Sequence, residues 1–301
     1  MYEPDWFKAD EVLIVNAQTR GINKDGHEQY TVDLGTGQRS TDINDQLADY
    51  VDQVAAGEIE EPHVSYVSRA ELSNAAVLVP KYYDRSSLDD FEAFISEHAG
   101  VSSIALGDLV EDEHLLVFKG HGSPSVDQRV GTVPYIKVSD LRAGSVNINP
   151  TNLIPEKLAQ KYWKGNSSGL QAYDLISPER ASKNIGEFCV LMPGQERVVL
   201  TKEVICVRAT DSAPFDQFFL MWALSLGVVR HQWDRIVFMQ TNREDVGERV
   251  LEIRIPMPES RAVADEYAEP FKNYYLGIEK LRSAFSAALK RSGNDHHIFL
   301  E

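Results

Sequence analysis

Side chains that commonly do covalent or metal chemistry are few and scattered in this chain of 301 residues. The two cysteines, Cys189 and Cys206, have no second thiol or histidine near them, so neither a disulfide framework nor a zinc site is indicated. The eight histidines are dispersed, and residues 119–123 lack the Gly-Lys-Ser/Thr ending of a phosphate-binding loop. We therefore expect no cofactor, no metal ion and no catalytic motif.

Basic, aromatic and amide side chains are interleaved in several polar segments, such as KYWKGNSS at residues 161–168 and RASKN at residues 180–184. Lys and Arg bind phosphates, and Arg and Asn also hydrogen-bond to base edges. Plain solvated loops are the alternative interpretation of each segment. The sequence predicts a nucleic-acid-binding surface formed by Arg129, Lys137, Lys161, Lys164, Asn166, Arg180, Lys183, Asn184, Gln240, Asn242 and Arg243.

Charge is distributed unevenly along the chain. The formal net charge is −16, from 46 acidic and 30 basic residues. Residues 1–120 contain 24 acids and 8 bases, whereas residues 121–301 contain 22 of each. Between residues 129 and 208, 11 bases exceed 7 acids. An acidic chain argues against polyanion binding, but this distribution permits it in the second half and predicts that the acidic part faces a partner or solvent.

Length and hydropathy limit the class of protein. The chain is about twice the length of a typical domain, and its 43% apolar and 25% charged residues are typical of a globular protein. No segment reaches the roughly 18 to 20 apolar residues that a membrane-spanning helix needs. The start of the chain also lacks the apolar core of a signal peptide. We expect a cytoplasmic protein with no membrane partner.

The first hundred residues predict a small α/β segment. A short apolar run at residues 12–15 and an extended pattern at residues 30–33 flank the turn sequence of residues 23–26, which predicts a β-hairpin. The acidic residues 58–62 are expected to form a solvated connector.

Two helices are expected in the same segment. Thr41 and Asp42 can cap a helix that ends at Gly57. A second helix is expected to begin near Ser87 and to stop near Gly100.

Residues 101–259 predict a β-rich domain with a few helices. One helix is expected to interrupt the strands, capped by Asp211 or Ser212 and carrying an aromatic stripe from residue 215 to residue 229. β-branched, partly alternating runs predict strands at residues 133–138, 198–208 and 250–255.

A long helix is expected over residues 260–292, followed by a short tail over residues 293–301. Either it kinks at Pro270, or its continuous part begins there and runs for about 22 residues, roughly 33 Å. Its apolar residues recur at spacings of 3 and 4, the heptad pattern of a helix-pairing surface. Packing against the chain's own domain and pairing with another helix both remain open. The apolar seam consists of Ala264, Tyr267, Phe271, Tyr274, Ile278, Leu281, Phe285 and Ala288.

Five short motifs follow one another between residues 100 and 291. They are GTVPYIKVSDLRAG at 131–144, YDLI at 173–176, NIGEF at 184–188, the aromatic helix at 215–230 and LEIRIPMP at 251–258. Their order resembles the target recognition domains and spacer helices of the specificity subunits of type I restriction-modification systems.

Residues 12–26 carry a second resemblance. VLIVNAQ at residues 12–18, followed by GINKDG at residues 21–26, is similar to the segment that ends the catalytic domain of type I-like DNA adenine methyltransferases. The catalytic core that precedes this tail in fused enzymes is absent from the sequence. We expect the chain to be the carboxyl-terminal portion of a fused methylation-specificity polypeptide.

The resemblances imply a fold class, a function and a set of partners. The class is α+β: a methyltransferase-like α/β segment over residues 1–100, a target recognition domain over residues 101–259 and a spacer helix over residues 260–292. The implied function is non-catalytic recognition of double-stranded DNA on behalf of an adenine methyltransferase subunit or domain. The terminal helix is expected to pair with another helix, in a partner or a homodimer, through Tyr267, Phe271, Tyr274, Ile278, Leu281 and Phe285.

Two other functions stay open at this point. The chain could be a protein-interaction subunit whose acidic first 120 residues and terminal helix dock on a methyltransferase or nuclease, with little direct binding to DNA. It could also be an enzyme with an unrecognised site. The first alternative predicts that the β-rich region does not bind duplex DNA. The second predicts that the isolated chain transfers methyl groups.

Overall fold

The structure, a computed structural model, describes residues 10–57, 62–238 and 245–293. Contacts divide the chain into two compact units, one comprising Met1–Asp90 with Asp234–Ile236 and the other comprising Phe91–Trp233 with Val237–Glu301. Helices and several small sheets occur together, and a long helix ends the described chain. The predicted fold class, a β-rich domain with a few helices and a long C-terminal helix, is confirmed.

Two separate two-stranded antiparallel sheets form the first unit. One joins β1 (Glu11–Val15) to β4 (Val64–Ser68), and the other joins β2 (Tyr30–Val32) to β3 (Arg39–Ile43). The predicted hairpin between residues 12–15 and 30–33 is therefore wrong, because neither run pairs with the other.

Local turn chemistry explains this pairing. The turn at residues 23–26 closes only an isolated bridge between Ile22 and Glu28. In contrast, the Asp33 carboxylate accepts the backbone N–H groups of Gly35 and Thr36, at 2.9 and 2.7 Å, and so reverses the chain between β2 and β3. β1 is thereby left to pair with a strand that is distant in sequence.

The helices of this region are α1 (Gln46–Ala56), α2 (Arg69–Ala75) and α3 (Ser86–Glu97). Asp45 caps α1 by accepting the Ala48 N–H, whereas Thr41 and Asp42 lie in β3, so the predicted cap is wrong. The predicted end of α1 is confirmed, because Gly57 adopts a left-handed conformation with φ of 74°. α3 confirms the second predicted helix.

The described residues of the second unit form three sheets. A six-stranded sheet has the order β6-β14-β11-β12-β9-β8, a three-stranded sheet has the order β10-β7-β13, and β15 pairs with β5. The strands are β5 (Val101–Ala105), β6 (Leu115–Lys119), β7 (Val133–Ile136), β8 (Leu141–Arg142), β9 (Ser145–Val146), β10 (Leu153–Ile154), β11 (Leu175–Pro178), β12 (Cys189–Val190), β13 (Val199–Leu200), β14 (Val204–Ala209) and β15 (Arg254–Pro258).

The core of the second unit lies between these short strands. One cluster of buried side chains includes Ile136, Ile176, Cys189, Leu200 and Cys206. Both cysteines are buried free thiols, as predicted, and burial raises the pKa of each thiol because the thiolate would lose its hydration. They act as small apolar residues in the core.

Helices of this region are α4 (Leu106–Glu111), α5 (Glu156–Trp163), α6 (Gln217–Ser225), α7 (Gly227–Ile236) and α8 (Arg261–Ser292). The single helix predicted over residues 215–229 is in fact two, because Leu226 is extended, and its cap is Asp216 rather than Asp211 or Ser212. α5 was not predicted. Residues 247–252 form a 3₁₀ helix, so the last predicted strand begins only at Arg254.

α8 spans nearly the residues predicted for the terminal helix. Ser260 caps it by accepting the Val263 N–H, and the helix continues through Pro270 to Ser292. The alternative in which the continuous helix starts at Pro270 is therefore wrong.

Candidate nucleic-acid interface

Residues 120–123, which follow β6, form hydrogen bonds to the end of β13 and to α5. The Gly122 N–H donates to the Leu200 carbonyl at 3.1 Å, and the Lys202 N–H donates to Ser123 Oγ at 3.2 Å. The Tyr162 hydroxyl of α5 donates to the Ser123 carbonyl at 3.1 Å. Only glycine fits at position 122, because a Cβ there would collide with the Tyr162 ring. This segment therefore joins the end of β13 to α5.

Arg129 and Lys137 meet at one aromatic ring. The Arg129 guanidinium carbon lies 5.9 Å from the centre of the Tyr135 ring, and Lys137 Nζ lies 5.6 Å from it. Arg129 also reaches the Pro124 carbonyl at 3.5 Å. Because Tyr135 is buried in β7, its ring holds two cationic side chains on one part of the surface.

Lys202 lies at the same sheet end as Lys137. β7 and β13 are parallel, with Ile136 opposite Leu200, and the Thr201 N–H donates to the Ile136 carbonyl at 3.0 Å. Residues that follow parallel neighbouring strands leave the sheet at the same edge. Lys202 is therefore brought beside Lys137 although 65 positions separate them in sequence.

α5 adds two more cations next to this edge. Its buried side uses Ala159 and Trp163, whose indole N–H donates to the Val198 carbonyl at 3.0 Å. Lys161 is exposed on the last turn, and Lys164 is the exposed left-handed residue that ends the helix. The helix thus presents both lysines to solvent.

Arg129, Lys137, Lys161, Lys164 and Lys202 are here called the basic surface. In the part of the chain that the structure describes, none of the five forms an ion pair with a carboxylate. Their charges are therefore available to an anionic partner. Asn166 is exposed beside them and lines a pocket of about 160 Å³ with Trp163, Ser168 and Arg197.

Arg180 has different surroundings. Its guanidinium pairs with Asp245 at 2.8 Å and with Glu203 at 3.3 Å, and nearby Lys119 pairs with the buried Glu179 at 2.6 Å. The hydrogen bond that Arg180 donates to Asp245 raises the pKa of Arg180 further, and the one that Lys119 donates to Glu179 raises the pKa of Lys119. These five residues, the ion-pair cluster, contain more acids than bases.

The loop that contains Lys183 and Asn184 is tied to the turn after Lys137. The buried Asn184 amide donates to the Val138 and Leu141 carbonyls, at 3.3 and 3.2 Å. Its amide group therefore holds the fold together and is not free to contact a base. Lys183 is exposed on the loop that Asn184 anchors. Gln240, Asn242 and Arg243 lie outside the described residues.

Sequence reasoning missed Lys202, Tyr135 and Ser123 as parts of this site. Lys202 was counted among the bases but had no aromatic or amide neighbour to mark it. The pairing of β7 with β13 brings it into the site, and no local pattern reports that pairing. Bases on both sides of Tyr135, at positions 129 and 137, were the one available signal.

α8 buries only part of the predicted apolar seam. Tyr267 stacks on Trp222 of α6, with ring centres 4.3 Å apart, and Tyr275, which lies next to the seam, is buried. Tyr274, Leu281 and Phe285 are 57%, 72% and 45% exposed. Phe271 and Ile278 are half-buried. The helix therefore packs on its own unit and leaves part of its apolar seam open.

Residues 10–57, 62–238 and 245–293 contain neither a metal-binding cluster nor a membrane-spanning helix. No group of three or more His, Cys, Asp or Glu there is arranged to hold a metal ion. Within the same ranges no helix is long and apolar enough to cross a membrane.

No protein-family model and no curated protein matches this sequence. Solved structures do resemble the fold. The S subunit of a type I restriction-modification system from M. genitalium shares 13% identity with a TM-score of 0.38, and the alignment covers 71% of this chain and 50% of that one. The HsdS subunit from Thermoanaerobacter tengcongensis shares 14% identity with a TM-score of 0.38, covering 79% and 50%.

The type IIG restriction endonuclease BpuSI shares 10% identity with a TM-score of 0.44, over 75% of this chain and 33% of that one. The chain therefore spans half or less of the length of these three structures. Likeness at this level concerns the fold alone and assigns no activity, substrate or partner.

Proposed function

We propose that the second unit is a non-catalytic, sequence-specific reader of double-stranded DNA in a restriction-modification or related phage-defence system. In this function it directs a partner DNA adenine methyltransferase to its site. The observation that carries the proposal is the basic surface, five cationic side chains on neighbouring segments that form no ion pair within the part of the chain that the structure describes. The ordered motifs of the sequence are consistent with it.

Phosphate binding follows from the charges of the basic surface. Each phosphate that a protein neutralises releases counterions, so affinity falls with salt at a log-log slope of about −0.9 per phosphate. Five free cations would give a slope of roughly −4 to −5 if each binds one phosphate. The salt dependence thus measures how many members of the surface contact DNA.

Sequence reading would come from polar groups at the rim of this surface. Asn166 is exposed, and its amide offers both a donor and an acceptor, which suits adenine in the major groove. Lys183 stands on a loop anchored next to Lys137 and can donate to guanine. These two residues are our proposed base-contacting residues among those described.

The decisive experiment is selection of duplexes from a random-sequence pool by the purified chain, followed by fluorescence anisotropy on the selected site. We expect one enriched sequence, bound about 10³-fold or more tightly than unrelated duplex at physiological salt. Absence of enrichment, together with affinity that does not respond to salt, would contradict the proposal.

The open face of α8 supports a helical partner. Tyr274, Leu281 and Phe285 recur at heptad spacing and remain exposed, as expected of residues that another helix covers. We propose that this helix pairs with a second recognition chain or with the methyltransferase, so that two half-sites are held at a set distance. Light scattering with and without Leu281→Asp and Phe285→Asp measures this association.

A second candidate function is supported by the first unit. Residues 1–90 contain 18 acids and 7 bases, and the paired side chains Leu13 and Tyr66 are 36% and 57% exposed. Exposed apolar side chains within an acidic surface suit docking on a basic protein. Stable binding of a purified methyltransferase by a chain that binds no duplex would favour this interaction function.

A further inference from the structure

The His121 imidazole joins its own segment to two others that lie next to the basic surface, one at Leu200 and one at Ser168. Its Nδ1 accepts the Leu200 backbone N–H at 2.9 Å, and its Nε2 lies 2.9 Å from the Ser168 carbonyl oxygen. Neither the function proposed above nor the sequence motifs give this residue a role.

Its two partners determine the protonation state of the ring. A backbone N–H can only donate, so Nδ1 must be without a proton. A carbonyl oxygen can only accept, so Nε2 must carry one. Both contacts are satisfied only by the neutral ring with its proton on Nε2. A second proton would place an N–H against the Leu200 N–H, and that hydrogen bond would be lost.

The segments joined by His121 carry the groups that meet DNA in the proposed function. Gly122 and Ser123 follow it directly, and Ser123 holds both the Lys202 backbone and Tyr162 of α5. Leu200 lies two positions before Lys202. Ser168 belongs to the loop that contains Asn166 and is held at its other side by a hydrogen bond to the Glu196 carbonyl at 2.5 Å.

We propose that His121 is a positioning residue for DNA binding: its neutral imidazole holds the Ser123, Lys202 and Asn166 segments in the arrangement that binds duplex, and a second proton releases them. This inference rests on the proposed function. It predicts that the chain binds DNA less tightly in mild acid, although acid usually strengthens protein binding to a polyanion by adding positive charge.

Burial supports this role. Desolvation lowers the pKa of His121, while the Ser168 carbonyl partly opposes it. Several charged side chains of the adjoining segments form ion pairs with other residues. Lys119 pairs with Glu179, Arg197 with Glu156 and Glu203 with Arg180. Within the part of the chain that the structure describes, Lys202, Lys161, Lys164 and Glu196 form no ion pair or hydrogen bond with the imidazole.

The sign of the pH effect follows from this lowered pKa. As pH falls below about 6.5, the ordinary value for histidine, the unfolded chain takes up the proton first. The stabilisation from neutral His121 is therefore complete above about 6.5 and is lost between that value and the lower folded-state pKa. If only the neutral form binds DNA, affinity falls by up to about tenfold for each pH unit below the folded-state pKa.

The test combines NMR of the free chain with DNA binding from pH 5 to pH 8. In long-range ¹H–¹⁵N spectra at neutral pH, we expect His121 to be neutral with its proton on Nε2. We expect His121→Gln, which keeps a donor toward Ser168, to bind duplex within about threefold of the unsubstituted chain at pH 7.5 and to lose the acid weakening. His114→Gln is the control, because His114 lies on an exposed turn beside Ser212.

Each failure points to a different conclusion. A charged ring, a proton on Nδ1, or the same pH profile in the His121→Gln variant would overturn the positioning role while duplex binding still upheld the proposed function. Absence of duplex binding at every pH would overturn the proposed function, and the positioning role with it. If His121→Ala unfolds, the glutamine variant and the spectra of the unsubstituted chain still decide the question.

Discussion

The basic surface and the ion-pair cluster are two regions with similar sequences and opposite electrostatic character. Residues 161–168 and 180–184 both combine bases with amide and hydroxyl side chains. Among the described residues, Lys161 and Lys164 have no carboxylate partner, whereas Arg180 is held by Asp245 and Glu203. Whether a base can bind phosphate therefore depends on which acids the fold places beside it.

Because of this difference, we expect the two regions to have different functions. A phosphate that approaches Arg180 must displace a carboxylate and meets the remaining negative charge of Glu179 and its neighbours. A phosphate that approaches Lys137 displaces only water. We therefore expect DNA affinity to depend on the basic surface, and the ion-pair cluster to hold the Arg180 segment against the segment that begins at Asp245.

The largest effect is expected from removing three of the five positive charges of the basic surface. In the variant Arg129→Ala, Lys137→Ala, Lys202→Ala, the salt slope should fall by about three, one for each lost phosphate contact, and affinity should drop for every duplex sequence. Anisotropy titrations at several salt concentrations measure both quantities.

The matched control removes the same charge from exposed positions of α8, in the variant Lys280→Ala, Lys290→Ala, Arg291→Ala. We expect its slope to change by less than one. Equal losses in the two variants would show that only net charge matters and that the basic surface has no special role.

A smaller effect, an increase in DNA affinity, is expected from removing the two carboxylates that pair with Arg180. Asp245→Asn with Glu203→Gln removes both of its partners, so its charge becomes available and affinity for unrelated duplex should rise by about three- to tenfold. Glu111→Gln with Asp112→Asn removes the same charge at a distant turn and serves as control. Were both double variants to gain equally, the local pairing of Arg180 would be irrelevant.

Arg180→Ala alone should change DNA affinity by less than about threefold, because the paired side chain contributes little to phosphate binding. Stability should fall by about 0.5 to 1 kcal/mol, the usual range for a solvent-accessible ion pair. Urea denaturation and anisotropy measure the two effects separately. A large loss of affinity in a stable variant would place Arg180 in the DNA interface, as its sequence suggested.

A small effect is also expected from Tyr162→Phe, which removes the hydroxyl that donates to the Ser123 carbonyl. A single exposed hydrogen bond is worth about 0.5 to 1 kcal/mol, so DNA binding should weaken by about two- to fivefold at unchanged salt slope. A change in slope would mean that the substitution also moves a cation of the basic surface away from phosphate.

Prediction from sequence succeeded where a structural signal is local. Gly57 ends α1, as predicted, because glycine adopts a left-handed conformation without steric cost. It failed where the partner is remote. β1 pairs with β4, nearly fifty residues away, and α5 is held by the burial of Trp163 against Val198.

By itself the sequence determined the fold class, the uneven charge, the long terminal helix and its apolar repeat, because periodicity and capping act within a few residues. Only the tertiary structure decided that Lys202 and Lys137 leave the sheet at the same edge and that Arg180 forms an ion pair with Asp245. It also decided which part of the α8 seam is covered. Coulomb energies and burial depend on distances in space, and pairing between distant strands sets those distances.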